Sequence, residues 1–368
     1  MTRFRPTVVE VDLDAIRYNV RLLKPESVEL LAVVKADGYG HGDAQVARAA
    51  LEAGATRIGV ALVEEGVGLR ERGIEAPILV LSEFPQGAEK DALAVGLTPT
   101  LYSEDGLARL AEAARSLGRA VGIHLKVDTG MHRVGLWPPS AATAFALAIL
   151  EAGLELEGLW THFAASEEDE EGTRLQLRRL LGARDALVHE GIQPPCVHAA
   201  NSAAAIRFPE THLDLVRPGA AVYGLDPGRG VGPAFGLRPA LMWRSAVTMV
   251  KRLPAGERLS YGWRYELERG ATVATVPVGY ADGYARALSS KAEVLIRGRR
   301  YRVAGVVTMD QILVDCGDAR VEVGEEVVLI GAQGQERITA EELGAHVCTI
   351  GYEMVTAISE RVPREYPA

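Results

Sequence analysis

Between about residue 29 and residue 225 the chain alternates short apolar runs with amphipathic stretches, and this alternation constrains the fold more than any other feature of the sequence. The runs are ELLAVVKA (29–36), RIGVAL (57–62), APILVLSE (76–83), LTPTLYS (97–103), AVGIHLKVD (120–128), LELEGLWTHF (154–163), PCVHAAN (195–201) and LDLVRP (213–218). Between them, stretches such as DAQVARAALEAG place charges among apolar residues at helical spacing, and several end in glycine, a common helix stop. Strands that alternate with helices must run parallel, because each helix carries the chain back to the starting edge. Eight such strands give an α/β fold of the (β/α)8 TIM-barrel type. An open doubly wound sheet would more often carry a Gly-rich dinucleotide loop after its first strand, and DGYGHG does not have that pattern.

The texture changes after about residue 230. Segments such as ATVATVPVGYA, KAEVLIRGRRYRVAGVV and EEVVLIG are short, β-branched and separated by Gly, Pro and Asp. They predict a mainly β C-terminal domain with one helix, TAEELGAHV (339–347), capped by Thr339. RPTVVEVDL near the start reads as a strand before the helix DAIRYNVRLLK. Since the barrel already has its eight strands, this first one is expected in the β domain. The expected division is therefore a barrel domain over 10–230 and a β domain over 231–368 joined by the N-terminal strand 1–9, with GLDPGRGVGPAFGLRP (224–239) as linker.

Composition removes several classes of function. The 368 residues carry a net charge of −9, which argues against nucleic acid and anionic membranes as partners. No apolar run approaches the ~20 residues of a membrane span, and the N-terminus lacks the apolar core of a signal peptide. Three widely spaced cysteines (Cys196, Cys316 and Cys348) predict neither a disulfide framework nor a zinc site, but buried thiols of a cytoplasmic protein.

Only six of the 40 basic residues are lysine, so each lysine is worth locating. Lys24, Lys90, Lys251 and Lys291 lie among polar or turn residues. Lys35 and Lys126 instead end apolar runs. In a TIM barrel the active site lies at the C-terminal ends of the strands. Those ends gather Lys35, then Lys126 and Arg133 in KVDTGMHRVG, His162 in THFA, Asn201 and Ser202 in HAANSAA, and Arg217 in RPGAAVYG. A desolvated strand-end lysine can lose its proton and form a Schiff base. Ser202 and the amides near Gly219 and Ala220 suit a phosphate. A phosphorylated aldehyde held by a lysine suggests pyridoxal 5′-phosphate. Each residue taken singly has a plainer reading: a solvated lysine, a packed histidine, a helix-capping serine, a structural ion-pair arginine. The strand ends carry no carboxylate–histidine cluster, so no metal is expected.

VVKADGYGHG (33–42) resembles the cofactor-lysine signature of the alanine racemases. The resemblance continues in order through VDLDAIRYNV, KVDTGMHRVG, THFA, HAANSAA, VRPGAAVYG, LSYG, VGYADGY, VVTMDQ and GYE, so it spans nearly the whole chain. It implies a pyridoxal-phosphate enzyme that interconverts L- and D-alanine and supplies D-alanine for peptidoglycan. It also implies a homodimer with shared active sites.

Residue by residue, the resemblance implies that Lys35 holds the cofactor and serves as the base on the D-alanine side. Tyr261, in LSYG, is implied as the opposing base and comes from the partner subunit. Racemisation needs such a pair, one group to remove the α-proton and another to return a proton to the opposite face. A chain of hydrogen bonds is implied from the tyrosine through His162 to Arg217, which faces the cofactor's ring nitrogen. Arginine stays protonated, so it would donate to that nitrogen without protonating it and would weaken the ring as an electron sink. Tyr39, Ser202, Gly219, Ala220 and Tyr352 are implied at the cofactor phosphate. Arg133 and the backbone of Met309 are implied at the substrate carboxylate, and Tyr280 with Tyr352 at a narrow entrance. Lys126 matches a lysine that some relatives carbamylate. Bare, it would be a like charge beside Arg133; its plainer reading is an ion pair with Asp128. His41 is left with a turn-stabilising role. Thr308 stands where many relatives carry cysteine.

Other readings remain open on sequence. A racemase for serine or a basic amino acid is set against by the narrowing Tyr280 and Tyr352. A decarboxylase of similar plan has no use for Tyr261. A cofactor-storage protein would not need the C-terminal domain at all.

Overall fold

The computed structural model describes residues 4–367. The outermost residues of the 1–9 and 231–368 segments, 1–3 and 368, lie outside the described part. The chain forms two compact units. One comprises residues 14–38 and 42–238; the other comprises, among the described residues, 4–13, 39–41 and 239–367. Strand β1 (Val8–Val11) belongs to the second of these.

The larger unit is the barrel. Its strands are β2 (Glu29–Val33), β3 (Arg57–Val60), β4 (Ile78–Val80), β5 (Leu97–Thr98), β6 (Thr100–Leu101), β7 (Gly122–Lys126), β8 (Glu155–Trp160), β9 (Cys196–His198) and β10 (Leu215–Val216). All pairings are parallel, in two arcs ordered β10-β2-β3-β4-β5 and β6-β7-β8-β9. The eight expected runs are all present. The fourth is divided into β5 and β6 at Pro99, which has no N–H to give to a ladder but whose carbonyl accepts from His124 at 3.0 Å. The arcs also meet between β9 and β10, where the Asp214 and Arg217 amides donate to Val197 and Ala200 at 3.1 and 2.9 Å. Leu30, Leu31, Ile58, Ile78, Leu125 and Leu159 are fully buried, as expected of strands covered on both faces. The segment expected as linker carries a short helix, Val231–Phe235, and lies in the barrel unit up to residue 238.

Most strands end two or three residues before the apolar run does. At β2 the reason is visible. Ala36, Asp37, Gly38, Tyr39 and Gly40 all have positive φ, from 51° to 78°, so the chain leaves the strand in one turn of left-handed helix. The amide of Gly38 closes onto the Val34 carbonyl at 2.8 Å. Each L-residue so placed costs roughly 1–2 kcal/mol, and glycine avoids most of that cost.

In the smaller unit, β11 (Leu241–Ala246), β12 (Met249–Leu253), β13 (Arg258–Leu259), β14 (Tyr265–Glu266), β15 (Ala271–Val276), β16 (Glu293–Ile296), β17 (Arg299–Val303), β18 (Ile312–Asp315), β19 (Glu326–Gln333), β20 (Glu336–Ile338) and β21 (Arg364–Glu365) accompany β1. The main sheet runs β12-β15-β18-β17-β16-β19-β11-β1-β21 and is antiparallel except at β1–β21. Along β11 buried and half-buried residues alternate, so Leu241, Trp243 and Ser245 face the core. The helix Ala340–His346 begins at Thr339, whose Oγ1 accepts from the Glu342 amide at 3.1 Å; a second helix, Gly351–Thr356, follows.

Candidate active site

At the barrel mouth Lys35 is half-buried where β2 gives way to the left-handed turn. Burial lowers the pKa of its amine, and Arg133 lowers it further, against an opposing pull from Glu65. Lys126 ends β7 and is only 4% exposed. Burial, then Arg133 and Arg217, bring it down to about 7. Its Nζ lies 4.2 Å from the centre of the Trp160 indole. Asp128 does not pair with it. That carboxylate accepts instead from the Gly130 and His132 amides at 2.9 and 3.1 Å and faces His132 Nδ1 at 3.3 Å. The bonds shape the exposed loop that carries Arg133.

Arg217 follows β10 and is also 4% exposed. Its Nη2 donates to the Thr161 and Ala199 carbonyls at 2.7 and 3.1 Å, and its Nη1 to His198 Nδ1 at 2.8 Å. Burial lowers it to about 9, which still leaves it cationic at neutral pH. The imidazole that Arg217 engages is thus His198. Among the described residues no hydrogen bond joins Arg217 to His162; His162 is held well below its ordinary pKa by burial and by the cations around it, Arg217 first.

A buried row continues beneath Arg217. Arginine only donates, so His198 Nδ1 must accept and His198 must carry its proton on Nε2. From there it donates to His124 Nδ1 at 2.7 Å. His124 then directs its own Nε2–H toward Glu157, 3.7 Å away. Arg57 binds Glu157 and also donates to Glu29 at 2.9 Å. Glu157 is held down to about 2, chiefly by His124. Burial keeps both imidazoles neutral. Trp160 stacks on His198, their ring centres 5.6 Å apart and 6° from parallel, and the Arg217 guanidinium lies 4.7 Å from the same indole. Gly158 leaves room for His124, since a Cβ there would overlap the imidazole. None of His124, His198 and Trp160 is singled out in the sequence, where all three lie inside apolar strands. Period two was the available signal, because His124 shares a face of β7 with Lys126.

Ser202 opens the helix Ser202–Arg207, where Asn201 caps the first turn through Ala204 at 3.0 Å. The Ser202 hydroxyl is buried and accepts from the Gly219 and Ala221 amides at 2.9 and 3.2 Å. Its own proton finds no acceptor among the described residues. Ala220 begins a short 3-10 turn there.

The smaller unit carries the remaining candidates. Tyr39 and Tyr352 meet edge to face at 6.4 Å, and burial raises Tyr39 to about 12. His41 is fully buried, with Nδ1 2.9 Å from the Tyr39 carbonyl and its own carbonyl accepting from Tyr366 at 3.1 Å, so it does hold its turn. Tyr261 and Trp263 are 72% and 70% exposed on a loop where Ser260, Gly262 and Trp263 have positive φ. Ser260 Oγ ties that loop to the Val306 carbonyl at 2.7 Å. The Thr308 and Met309 carbonyls accept from Tyr280 and Ala281, each at 3.0 Å. Tyr261, Met309 and Tyr280 therefore sit on loops fastened to one another, with all three side chains exposed. Among the described residues no helix is long and apolar enough to cross a membrane, and no group of His, Cys, Asp or Glu could hold a metal.

Known proteins resemble this chain in sequence and in fold. The model of the alanine racemase N-terminal domain matches residues 11–227, and that of the C-terminal domain matches 240–366. The alanine racemase of Symbiobacterium thermophilum is 51% identical over 98% of this chain and 97% of its own length. Among solved structures, the alanine racemase of D-cycloserine-producing Streptomyces lavendulae superposes with a TM-score of 0.94 at 40% identity, covering 100% of this chain and 98% of that one. The Bacillus anthracis enzyme, solved with bound L-Ala-P, gives 0.93 at 38% identity, with 100% and 96% covered. The chain belongs to the alanine racemase family and is an isomerase.

Proposed function

We propose that the protein interconverts L- and D-alanine with pyridoxal 5′-phosphate by a two-base mechanism, as a homodimer whose sites draw on both subunits. The observation that carries this reading is Lys35, an amine at the barrel mouth whose pKa burial and Arg133 depress, so that a larger share is nucleophilic. The donors around it suit an anionic aromatic aldehyde. Ser202 has a buried hydroxyl proton to give to a phosphate, beside Gly219 and Ala220, and Tyr39 and Tyr352 are assigned to the same group. The bonds of Arg217 run from Nη1 and Nη2, which leaves its Nε–H for a ring nitrogen. When bound, the cofactor supplies an electrophilic carbonyl for Lys35 and an electron-withdrawing ring that acidifies the substrate Cα–H.

The protein's own residues then do the following. Lys35 takes or returns the α-proton on one face, and Tyr261 of the partner subunit serves the other. Arg133 and the Met309 backbone of that subunit hold the substrate carboxylate; an arginine fork suits a carboxylate by bidentate bonding. Tyr280 and Tyr352 narrow the entrance toward a small side chain. The exposure of Tyr261, Trp263 and Met309 supports a second copy as their cover, since large apolar groups grouped on a surface mark an interface. Lys126, with a pKa of about 7, offers a neutral amine to carbon dioxide; the resulting carbamate would replace a cation beside Arg133 with an anion. The product fits a role in supplying D-alanine to peptidoglycan from the cytoplasm. Purified protein incubated with L-alanine and with L-serine tests the reading. D-alanine should accumulate, and cofactor-loaded protein that leaves L-alanine unchanged would overturn it.

A further inference from the structure

Glu65 has no place in the mechanism above, yet three backbone amides converge on its carboxylate. Oε2 accepts from Ala61 and Leu62 at 2.8 and 3.0 Å, at the start of the helix Val63–Glu71. Oε1 accepts from Ala36, the residue after Lys35, at 2.6 Å. Ala36 is also where the backbone first turns left-handed. One carboxylate thus caps two segments of opposite hand. A right-handed helix gains from an anion at its N-terminus. The left-handed turn gains an acceptor for an amide at its strained first residue.

We propose that Glu65 is a positioning residue for Lys35: by holding the Ala36 amide it fixes the backbone on which the lysine is mounted. This rests on the assignment of Lys35 made above. The geometry asks for a glutamate. Three donors meet two oxygens, so a glutamine would turn an N–H toward an N–H. An aspartate is one methylene shorter and cannot span from the Val63–Glu71 helix to Ala36 while keeping Leu62.

The charged and titratable groups around Lys35 make the role measurable. Arg133, on the loop after β7, lowers its proton affinity, and Glu65 raises it. Lys126 on β7 and His162 after β8 are themselves depressed by Lys35. The full-length chain, prepared without cofactor and reductively methylated with isotope-labelled formaldehyde, has only six lysines to resolve by NMR. Glu65→Gln should lower the Lys35 titration midpoint by about one unit. In the cofactor-loaded enzyme it should lower kcat about tenfold with KM nearly unchanged. Glu65→Asp should leave the midpoint in place but speed exchange of the Ala36 amide. An unmoved midpoint in the glutamine variant, or unchanged Ala36 exchange in the aspartate variant, overturns the proposal; if the glutamine variant does not fold, the aspartate result decides alone. Borohydride fixation of the cofactor on the parent enzyme, followed by peptide mass analysis, asks separately whether Lys35 is the amine. A label elsewhere would overturn the proposed function, whatever Glu65 does.

Discussion

The barrel mouth and the loops of the smaller unit treat their reactive groups in opposite ways. Arg217 and Lys126 are each 4% exposed; burial lowers both, and neighbouring cations lower Lys126 further. Tyr261 is 72% exposed and stands on a loop with three positive φ values. The first region sets the chemistry of its groups within one chain, since the cations, imidazoles and indole are already in contact. The second presents a shaped but uncovered edge. Such an edge becomes a site only when another surface closes over it. The contrast is the one that the shared dimeric site proposed above requires, with the deep half built by one subunit and the removable half lent by the other.

The sharpest way to break this comparison is Tyr261→Phe. It should lower kcat by about 10²–10⁴-fold, the range usual for a lost acid–base group, while cofactor absorbance stays as in the parent. Near-parental kcat would mean that the exposed tyrosine is only packing.

Sharing itself can be tested by mixing. Neither Lys35→Ala nor Tyr261→Phe homodimers should have an intact site. A randomly reassorted equal mixture should recover about a quarter of parental activity, because half the dimers hold one site free of both changes. Sites built within one chain would recover nothing.

On the buried side, Gly158→Ala places a methyl against His124 and should cost about 1–3 kcal/mol in denaturant unfolding. Little change would mean that the histidine row is more yielding than its burial suggests.

The smallest effect concerns Lys126. Carbon dioxide adds only to the neutral amine, which prevails above a pKa of about 7. Native mass spectrometry should therefore show the adduct in mildly alkaline, bicarbonate-containing buffer, with loss as pH falls below neutrality. A plain amine throughout would remove carbamylation and leave the lysine on Trp160 as a neutral or weakly charged neighbour.

Much of this was legible in the sequence, for uneven reasons. All eight barrel runs could be seen because strands buried on both faces must be continuously apolar. The break at Pro99 is also written in LTPTL, where proline has no N–H to give to a ladder. Lys35, Lys126 and Arg217 stood out because each ends or follows such a run. His198 did not, since a single imidazole inside an apolar strand looks like packing, and its partner His124 lies more than 70 residues away. Glu65 was invisible for another reason: a side chain that binds backbone amides leaves no trace in the identity of the residues it binds. The left-handed turn was half legible. Gly38 and Gly40 suggested unusual backbone, but Ala36, Asp37 and Tyr39 gave no sign that they would share it.

The row beneath Arg217 has one more consequence. Its hydrogen bonds all point one way, from the guanidinium through His198 to His124, and a proton entering it would create an imidazolium next to a buried cation. Neither imidazole is therefore a place where a proton can rest, and the row stays uncharged beneath the guanidinium.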